Sequence, residues 1–236
     1  MKKFLLLAMT ALMALTASSQ ELPAHDGCTW YVRLGMSLNN ATGGKMVKEL
    51  NQASDLEHYS MGTLVGMAAD FGFQYDITDF GIYWGMEFGV GNRGFSIKDE
   101  YMGEWEKSSM RIWSIKCAPL IIGYKYPISN DIKLDAHIGA YASSDIAGQK
   151  WKLSDSQGNK MDDDNTSDAN LNDADVGVQA GIGIWFKRFN LDVTYQRGFI
   201  PMAKPNVTFM NSDFSFFNKS YNLYSSNVMV RLGVAF

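Results

Sequence analysis

The sequence predicts an eight-stranded antiparallel up-and-down β-barrel, and three observations lead there. Eight segments alternate apolar with polar or small residues at period two, the pattern of a strand whose faces meet different surroundings. Their connections alternate short and long, as when hairpins are trimmed at one end of a structure and elaborated at the other. After the first twenty residues no apolar run exceeds about five, so no helix of the roughly twenty apolar residues needed to cross a membrane is available.

The first segment places Trp30, Val32, Leu34, Met36 and Leu38 on one face and Tyr31, Arg33, Gly35 and Ser37 on the other. The second runs from Val65 to Tyr75 with Asp70 and glycines on the opposite parity, and the third from Phe80 to Val90 against Gly81, Tyr83, Gly85, Glu87 and Gly89. The fourth, Met110 to Tyr126, changes parity between Cys117 and Leu120. Pro119 stands at the change, and a residue without an N–H for the ladder is expected at a bulge or an edge. The fifth carries Ile132, Leu134, Ala136, Ile138 and Ala140 against Lys133, Asp135, His137 and Gly139. The sixth spans Val176 to Phe186, the seventh Leu191 to Tyr195 around Asp192, and the last Val228 to Phe236 around Arg231.

Short connections follow the second, fourth and sixth segments: Asp76 to Asp79, Pro127 to Asp131 and Lys187 to Asn190. Long polar ones follow the first, third, fifth and seventh, at roughly Asn39 to Met61, Ile97 to Ser109, Ser144 to Asp173 and Pro201 to Ser220. Lys45 to Leu56 is compatible with a short helix in the first of these. No domain boundary interrupts residues 29–236, which form one barrel domain after a short tail at 20–28.

Residues 1–19 carry the three parts of a secretory signal peptide: basic Lys2 and Lys3, an apolar stretch from Phe4 to Leu15, and the small-residue exit Thr16-Ala17-Ser18-Ser19. About twelve apolar residues are too few to span the roughly 30 Å of hydrocarbon. Cleavage is expected after Ser19 or Gln20. The whole chain has 236 residues, Lys+Arg 21 against Asp+Glu 25 and a formal charge of -4. Such a balance offers no basic field to a phosphate backbone, so nucleic acid is not an expected partner. The mean hydropathy of -0.15 suits a soluble protein equally well as a membrane barrel, whose alternating strands average to near zero. Cys28 and Cys117 are too few for a disulfide scaffold and fall on segments that are not neighbours in an up-and-down order, so both are expected unpaired.

Alternation defines two faces without saying which is inside, and a soluble lipocalin-like barrel would be apolar within. Two features argue for the opposite orientation. The polar parity holds Arg33, Asp70, Glu87, Lys133, Asp135, His137, Asp192 and Arg231 among glycines, a set of opposite charges and small residues suited to the narrow interior of eight strands. Aromatic residues of the apolar parity gather beside the short turns, at Trp30, Tyr75, Phe80, Tyr126, Phe186 and Phe236, the placement of a girdle at one membrane interface. Closure then pairs every backbone group, which hydrocarbon demands.

The chain ends VMVRLGVAF, with Val230, Leu232, Val234 and Phe236 at alternate positions, and this resembles the terminal strand of bacterial outer-membrane proteins. The runs RIWSIKCAPLIIGYKY, IKLDAHIGAY and GVQAGIGIWFKRFNLDVTYQRGF resemble, in that order, strands of the small outer-membrane β-barrel family, often labelled porin-family or PorT-like and related in shape to OmpA and OmpX. The first departs from the family's pattern at Lys116-Cys117-Ala118, where the proline falls late. The resemblance implies a transmembrane barrel in the outer membrane, with the final aromatic strand read by the barrel-assembly machinery and outer-membrane lipid as its surroundings.

Chemistry is harder to find. His25, His58 and His137 are scattered, no Ser, His and acid fall at triad spacing, and no His/Cys cluster suggests zinc, so no catalytic, cofactor or metal residues are expected. The third long connection concentrates Asp155, Asp162, Asp163, Asp164, Asp168, Asp173 and Asp175. It lacks the spacing and central glycine of a dedicated calcium loop, leaving a solvated acidic loop with weak divalent binding as the alternative. Trp105, Trp151 and Phe214-Ser215-Phe216-Phe217 place aromatic residues in the long connections, where they either form an exposed contact surface or pack the loops together. Two functions follow: a monomeric barrel with a plugged polar lumen, contacting an extracellular ligand or protein through four long loops, or a narrow porin-like channel for small solutes.

Overall fold

The computed structural model describes residues 27–42, 48, 52, 57–163, 172–202, 208–209, 212–213 and 223–236. The expected signal peptide, Phe214 to Phe217, Asp164 and Asp168 lie outside them. Eight strands close a ring: β1 (Cys28–Thr42), β3 (Leu64–Asp76), β4 (Ile82–Tyr101), β5 (Glu104–Pro127), β6 (Ile132–Asp155), β8 (Ala174–Phe186), β9 (Phe189–Pro201) and β12 (Tyr224–Ala235). Each is antiparallel to its sequence neighbour, and β12 returns to β1, with Tyr31 opposite Ala235 at one end and Thr42 opposite Tyr224 at the other. Two short strands extend the sheet, β2 (Glu57–Gly62) on β4 and β7 (Lys160–Asp163) on β6, while β10 (Thr208–Phe209) and β11 (Ser212–Asp213) pair apart from it.

The faces are assigned inside out relative to a soluble protein. Arg33 and Arg231 are among the most buried side chains, at 1% and 0% exposure, whereas Ile182 and Leu232 on the outer face are each 67% exposed. The six girdle aromatics all face outward near the short turns, although Phe80 sits in the turn before β4 rather than on a strand. Val230 and Leu232 share that outer face; Val234, on the same parity, is covered, with Val32 and Phe189 as its cross-strand partners. The Phe236 N–H donates to the Trp30 carbonyl at 3.0 Å, tying the chain end to the start of β1.

Pro119 marks a register shift: β5 pairs Cys117 with Ala142 but Leu120 with Ala140 on β6. The bulge turns Ala118 and Ile121 both inward, which is how one strand carries two parities. Cys28 and Cys117 carry no disulfide and belong to β1 and β5, which are not neighbours in the ring.

Three connections differ from their expected form. Residues 97–108 are not a loop: β4 and β5 stay paired to Tyr101 and Glu104 around the two-residue turn Met102-Gly103, both with positive φ, as in the hairpin turn that matches strand twist. Strand β6 likewise runs on to Asp155, so Ser144 to Ser154 belong to the sheet, and His58 lies on β2 opposite Glu100 rather than in a loop. These polar stretches look like loops in the sequence because apolar alternation stops where the strand leaves its apolar surroundings. Lys48 and Gln52 are helical, within the short helix expected at 45–56.

Candidate functional site

The ladder registers bring the inward side chains to one level from strands far apart in sequence. Arg33 lies opposite Asp70 across β1 and β3, and Arg231 opposite Asp192 across β12 and β9, while Glu87 reaches in from β4. The Arg231 guanidinium donates to Asp192 Oδ1 from Nη2 at 2.5 Å and from Nε at 3.0 Å, to Asp70 Oδ2 at 2.7 Å, and to Glu87 Oε2 at 3.3 Å. Arg33 donates to Glu87 Oε1 at 2.5 Å and to Asn190 Oδ1 at 2.8 Å. Lys116 Nζ lies 2.9 Å from Asp70 Oδ1, and the Tyr31 hydroxyl donates to Glu87 at 3.0 Å. Buried charges at these distances hold together because each guanidinium fork meets two or more carboxylates, offsetting desolvation that a single pair would not.

Nearer the short turns a second layer forms around Asp135, which accepts from the Tyr83 hydroxyl at 2.8 Å and the Trp185 indole at 3.1 Å. His137 bridges the layers, with Nε2 3.3 Å from Thr194 Oγ1 and its ring nitrogens 3.6 Å from Asp135 and 3.8 Å from Asp192. Lys125 is buried beneath Tyr83 and pairs with Asp76 at 3.1 Å.

Of the eight polar residues expected inside, seven are buried and joined by these contacts. Lys133 is the exception: it has the right parity but stands at the rim, exposed, beside the open recess lined by Tyr75, Asp76, Phe80 and Lys125. Lys116, Lys125, Tyr83, Trp185 and Thr194 join the network from outside the expected set. Tyr83 and Trp185 both stand on the polar parity in the sequence, and that parity is the signal for their inward place, large aromatics being ordinarily counted apolar.

Glycine on the polar face makes the room these side chains occupy. A Cβ on Gly181 would lie 2.5 Å from His137 Nε2 and 2.6 Å from Thr194 Oγ1, and one on Gly123 would meet the Tyr83 ring. Replacing Gly181 with Val is therefore expected to cost about 1–3 kcal/mol through overpacking. The urea midpoint in detergent checks it, with Ile182→Val beside it as the outward control that should shift little.

Above the charged network, toward the long connections, lies a polar cavity of about 40 Å³ lined in part by Ser37, Asn92, Ser114, Lys116, Asp175 and Asn227. Asp175, expected in the acidic loop, is on β8, points inward and accepts from the Tyr141 hydroxyl at 3.2 Å and the Ile200 N–H at 3.2 Å. Asp155 is the last residue of β6, at the outer turn. Its carboxylate accepts from the Asn159 side chain and from the backbone N–H groups of Asn159 and Gln157, which hold its pKa below the ordinary range. Trp105 is the second residue of β5, with Lys98 Nζ 5.6 Å from its ring centroid.

A family model described as outer membrane protein beta-barrel domain matches residues 18–204. No curated protein matches the chain. Among solved structures, Ail, the attachment invasion locus protein of Yersinia pestis, in complex with the heparin analogue sucrose octasulfate, is 13% identical, with 89% of this chain and 99% of that one covered at a TM-score of 0.36. Neisserial surface protein A is 14% identical over 89% and 99%, at 0.38. The outer membrane protease OmpT from Escherichia coli is 11% identical over 90% and 98%, also at 0.38.

Proposed function

The chain belongs to the outer membrane protein β-barrel domain family, and we propose that, as an outer-membrane barrel, it is a non-enzymatic monomeric platform whose plugged lumen stiffens the ring while the long connections meet an extracellular ligand or protein. Strand length carries this reading. A strand needs about 9–11 residues to cross the hydrocarbon, but β4 has 20 and β5 and β6 have 24 each. The excess, about ten residues per strand or on the order of 30 Å, continues as a sheet in the order β2-β4-β5-β6-β7. Its hairpin tip exposes Tyr101 and Met102. A rigid sheet of that reach is a surface for contact rather than a closure for a pore.

The charged network supports the plug, since paired guanidinium and carboxylate groups occupy the interior of eight strands more readily than they line an aqueous passage. In this reading residues 1–19 are removed on export, and β12 with Phe236 directly after it is what the barrel-assembly machinery reads.

Joining Ser96 directly to Ser109 through an Asn-Gly turn tests the platform, because those two residues are already cross-strand partners. The shortened protein is expected to keep its heat-modifiable gel mobility and to lose binding of cells expressing it to immobilised host matrix and glycan panels. Binding equal to that of the full-length protein would sink the platform reading. Stable solute-sized conductance of the full-length protein in planar bilayers would overturn the plug and favour the channel.

A further inference from the structure

Where β4, β5 and β6 run on past the ring, they sort their charges by face. Phe95 and Met110, at 3% and 0% exposure, form an apolar layer turned in over the barrel axis, so Arg111, between the buried Met110 and Ile112, points outward. Directly opposed residues of an antiparallel ladder share a face. Lys98 stands opposite Lys107, Ser109 opposite Lys152, and Ser154 opposite both Lys107 and Lys160, which puts all four lysines on the outward face with Arg111. Arg111, Lys152 and Lys160 are exposed, and Lys98 and Lys107 half-buried. Among the described side chains the one carboxylate on this face, Glu100, pairs with Lys98. Lys150 and Asp162, opposite Arg111 and Lys152 in the ladder, cancel in charge. The inward face has the reverse sign, with Asp99, Glu106 and Asp155 in one cross-strand row. Like charges directly opposite one another destabilise a sheet, yet here they stand so in two successive rows. An anion bound from outside beside the cationic row relieves that repulsion.

The outward column of β5 gives the height of this face above the membrane. From the girdle residue Tyr126 it runs through Tyr124, Ile122 and Leu120, then past the bulge to Ile115 and Trp113, and the next outward residue is Arg111. Tyr126 and Trp113 are about 43 Å apart along the strand, or about 30 Å in depth at a tilt near 45°, the thickness of the hydrocarbon. Arg111 therefore stands at the outer boundary, where its Nη2 donates to the Val65 carbonyl of β3 at 2.9 Å. Lys107 follows about 13 Å farther along β5. A surface that faces sideways at this height meets the headgroups of neighbouring lipids.

We propose that the outward face formed by Lys98, Lys107, Arg111, Lys152 and Lys160 binds the phosphate groups of outer-leaflet lipid headgroups, and so seats the extended hairpins on the membrane. This rests on the hairpins standing outside the outer membrane, as the platform reading has them, and gives them a second ligand on a face of its own.

In the test, full-length protein in detergent is titrated with diphosphoryl lipid A and with the same lipid stripped of its phosphates, and native mass spectrometry counts the lipids bound. The phosphorylated form is expected to bind about tenfold more tightly or better, since several cations act on it together. Lys98→Gln, Lys107→Gln, Arg111→Gln and Lys152→Gln in one chain are expected to abolish that preference and leave affinity for the stripped lipid unchanged. Glu104→Gln with Glu106→Gln, on the opposite face, keeps the preference, and heat-modifiable mobility verifies that each variant is folded. Equal affinity of the parent for the two lipids, or an undiminished preference in the folded fourfold variant, overturns the proposal. Dextran sulfate bound more tightly than diphosphoryl lipid A, and lost in the same variant, overturns the lipid assignment in favour of a soluble polyanion. Maleimide-polyethylene glycol is expected to label Met102→Cys on intact cells in a Cys28→Ser, Cys117→Ser background. No labelling there overturns the outer placement of the hairpins and the platform with it, whereas a missing lipid preference in labelled protein leaves the platform standing.

Discussion

Substituting Arg231 with Met is expected to destabilise the folded barrel by about 3–5 kcal/mol, because it leaves several buried carboxylates without their shared cation. Asp192, Asp70 and Glu87 all take hydrogen bonds from this one guanidinium, and Thr194 takes another at 2.9 Å. Met fills comparable volume, so the loss is electrostatic rather than a cavity. The effect is also asymmetric. Arg33 still serves Glu87, and Lys116 still serves Asp70, but Asp192 loses its two short guanidinium contacts and keeps the Thr194 hydroxyl at 2.8 Å, with Arg33 and His137 farther off at 3.9 and 3.8 Å. Asp192→Asn combined with Arg231→Met should accordingly recover part of the loss, whereas Arg231→Lys, with one ammonium in place of a fork, should recover less than its charge suggests. Reversible urea unfolding in phospholipid vesicles, followed by tryptophan fluorescence and gel mobility, measures all three. A loss under about 1 kcal/mol for Arg231→Met, the value typical of exposed pairs, would mean that water reaches the network and that the interior is not plugged.

The network shows how far sequence reasoning reaches in a barrel. Strand number, ring order and the inward set are read from period two alone, because in a closed antiparallel sheet parity decides facing. Arg33, Glu87 and Arg231 could be placed inside without knowing their partners. Partners depend on the stagger between strands, and stagger is set by bulges and turns: Arg231 meets Glu87, 144 positions away, only because β1 and β3 lie between them in the ring. The Arg93–Asp145 pair is illegible in the sequence for a related reason. Arg93 sits just beyond the third alternating segment and Asp145 near the start of the third long connection, where apolar alternation has faded, and nothing local joins them to Asn172. The extended hairpins were missed on the same ground, since above an apolar layer a strand has no reason to alternate visibly. Lys133 was misplaced at the opposite end, where parity still holds but the interior opens to solvent.

Parity also yields the second large effect, from the outer face. Ile182 lies mid-strand on β8, 67% exposed, with Ala136 and Val193 as cross-strand neighbours, so in the outer membrane its side chain meets hydrocarbon. Ile182→Arg is expected to cost about 2–4 kcal/mol in vesicles, the range for a basic residue near the bilayer midplane. Ile128→Arg, in the short turn between β5 and β6 and 54% exposed, should cost about 0–1 kcal/mol, because there the guanidinium reaches the headgroup region. Comparable exposure with unequal cost is the signature of depth. A water-facing barrel of the lipocalin kind would give the contrary result, since an arginine replacing an exposed isoleucine in water leaves stability within about 0.5 kcal/mol at either position. The comparison separates outer-face transfer from interior packing as well. The Ile182→Arg penalty should vanish in urea-unfolding series run in short-chain detergent, whose thin apolar layer lets the side chain reach water, while the Gly181→Val penalty one residue away should persist there, because His137 and Thr194 are its cause. If both penalties fell together on changing the detergent, the two faces of β8 would not be the separate environments that the alternation assigns to them.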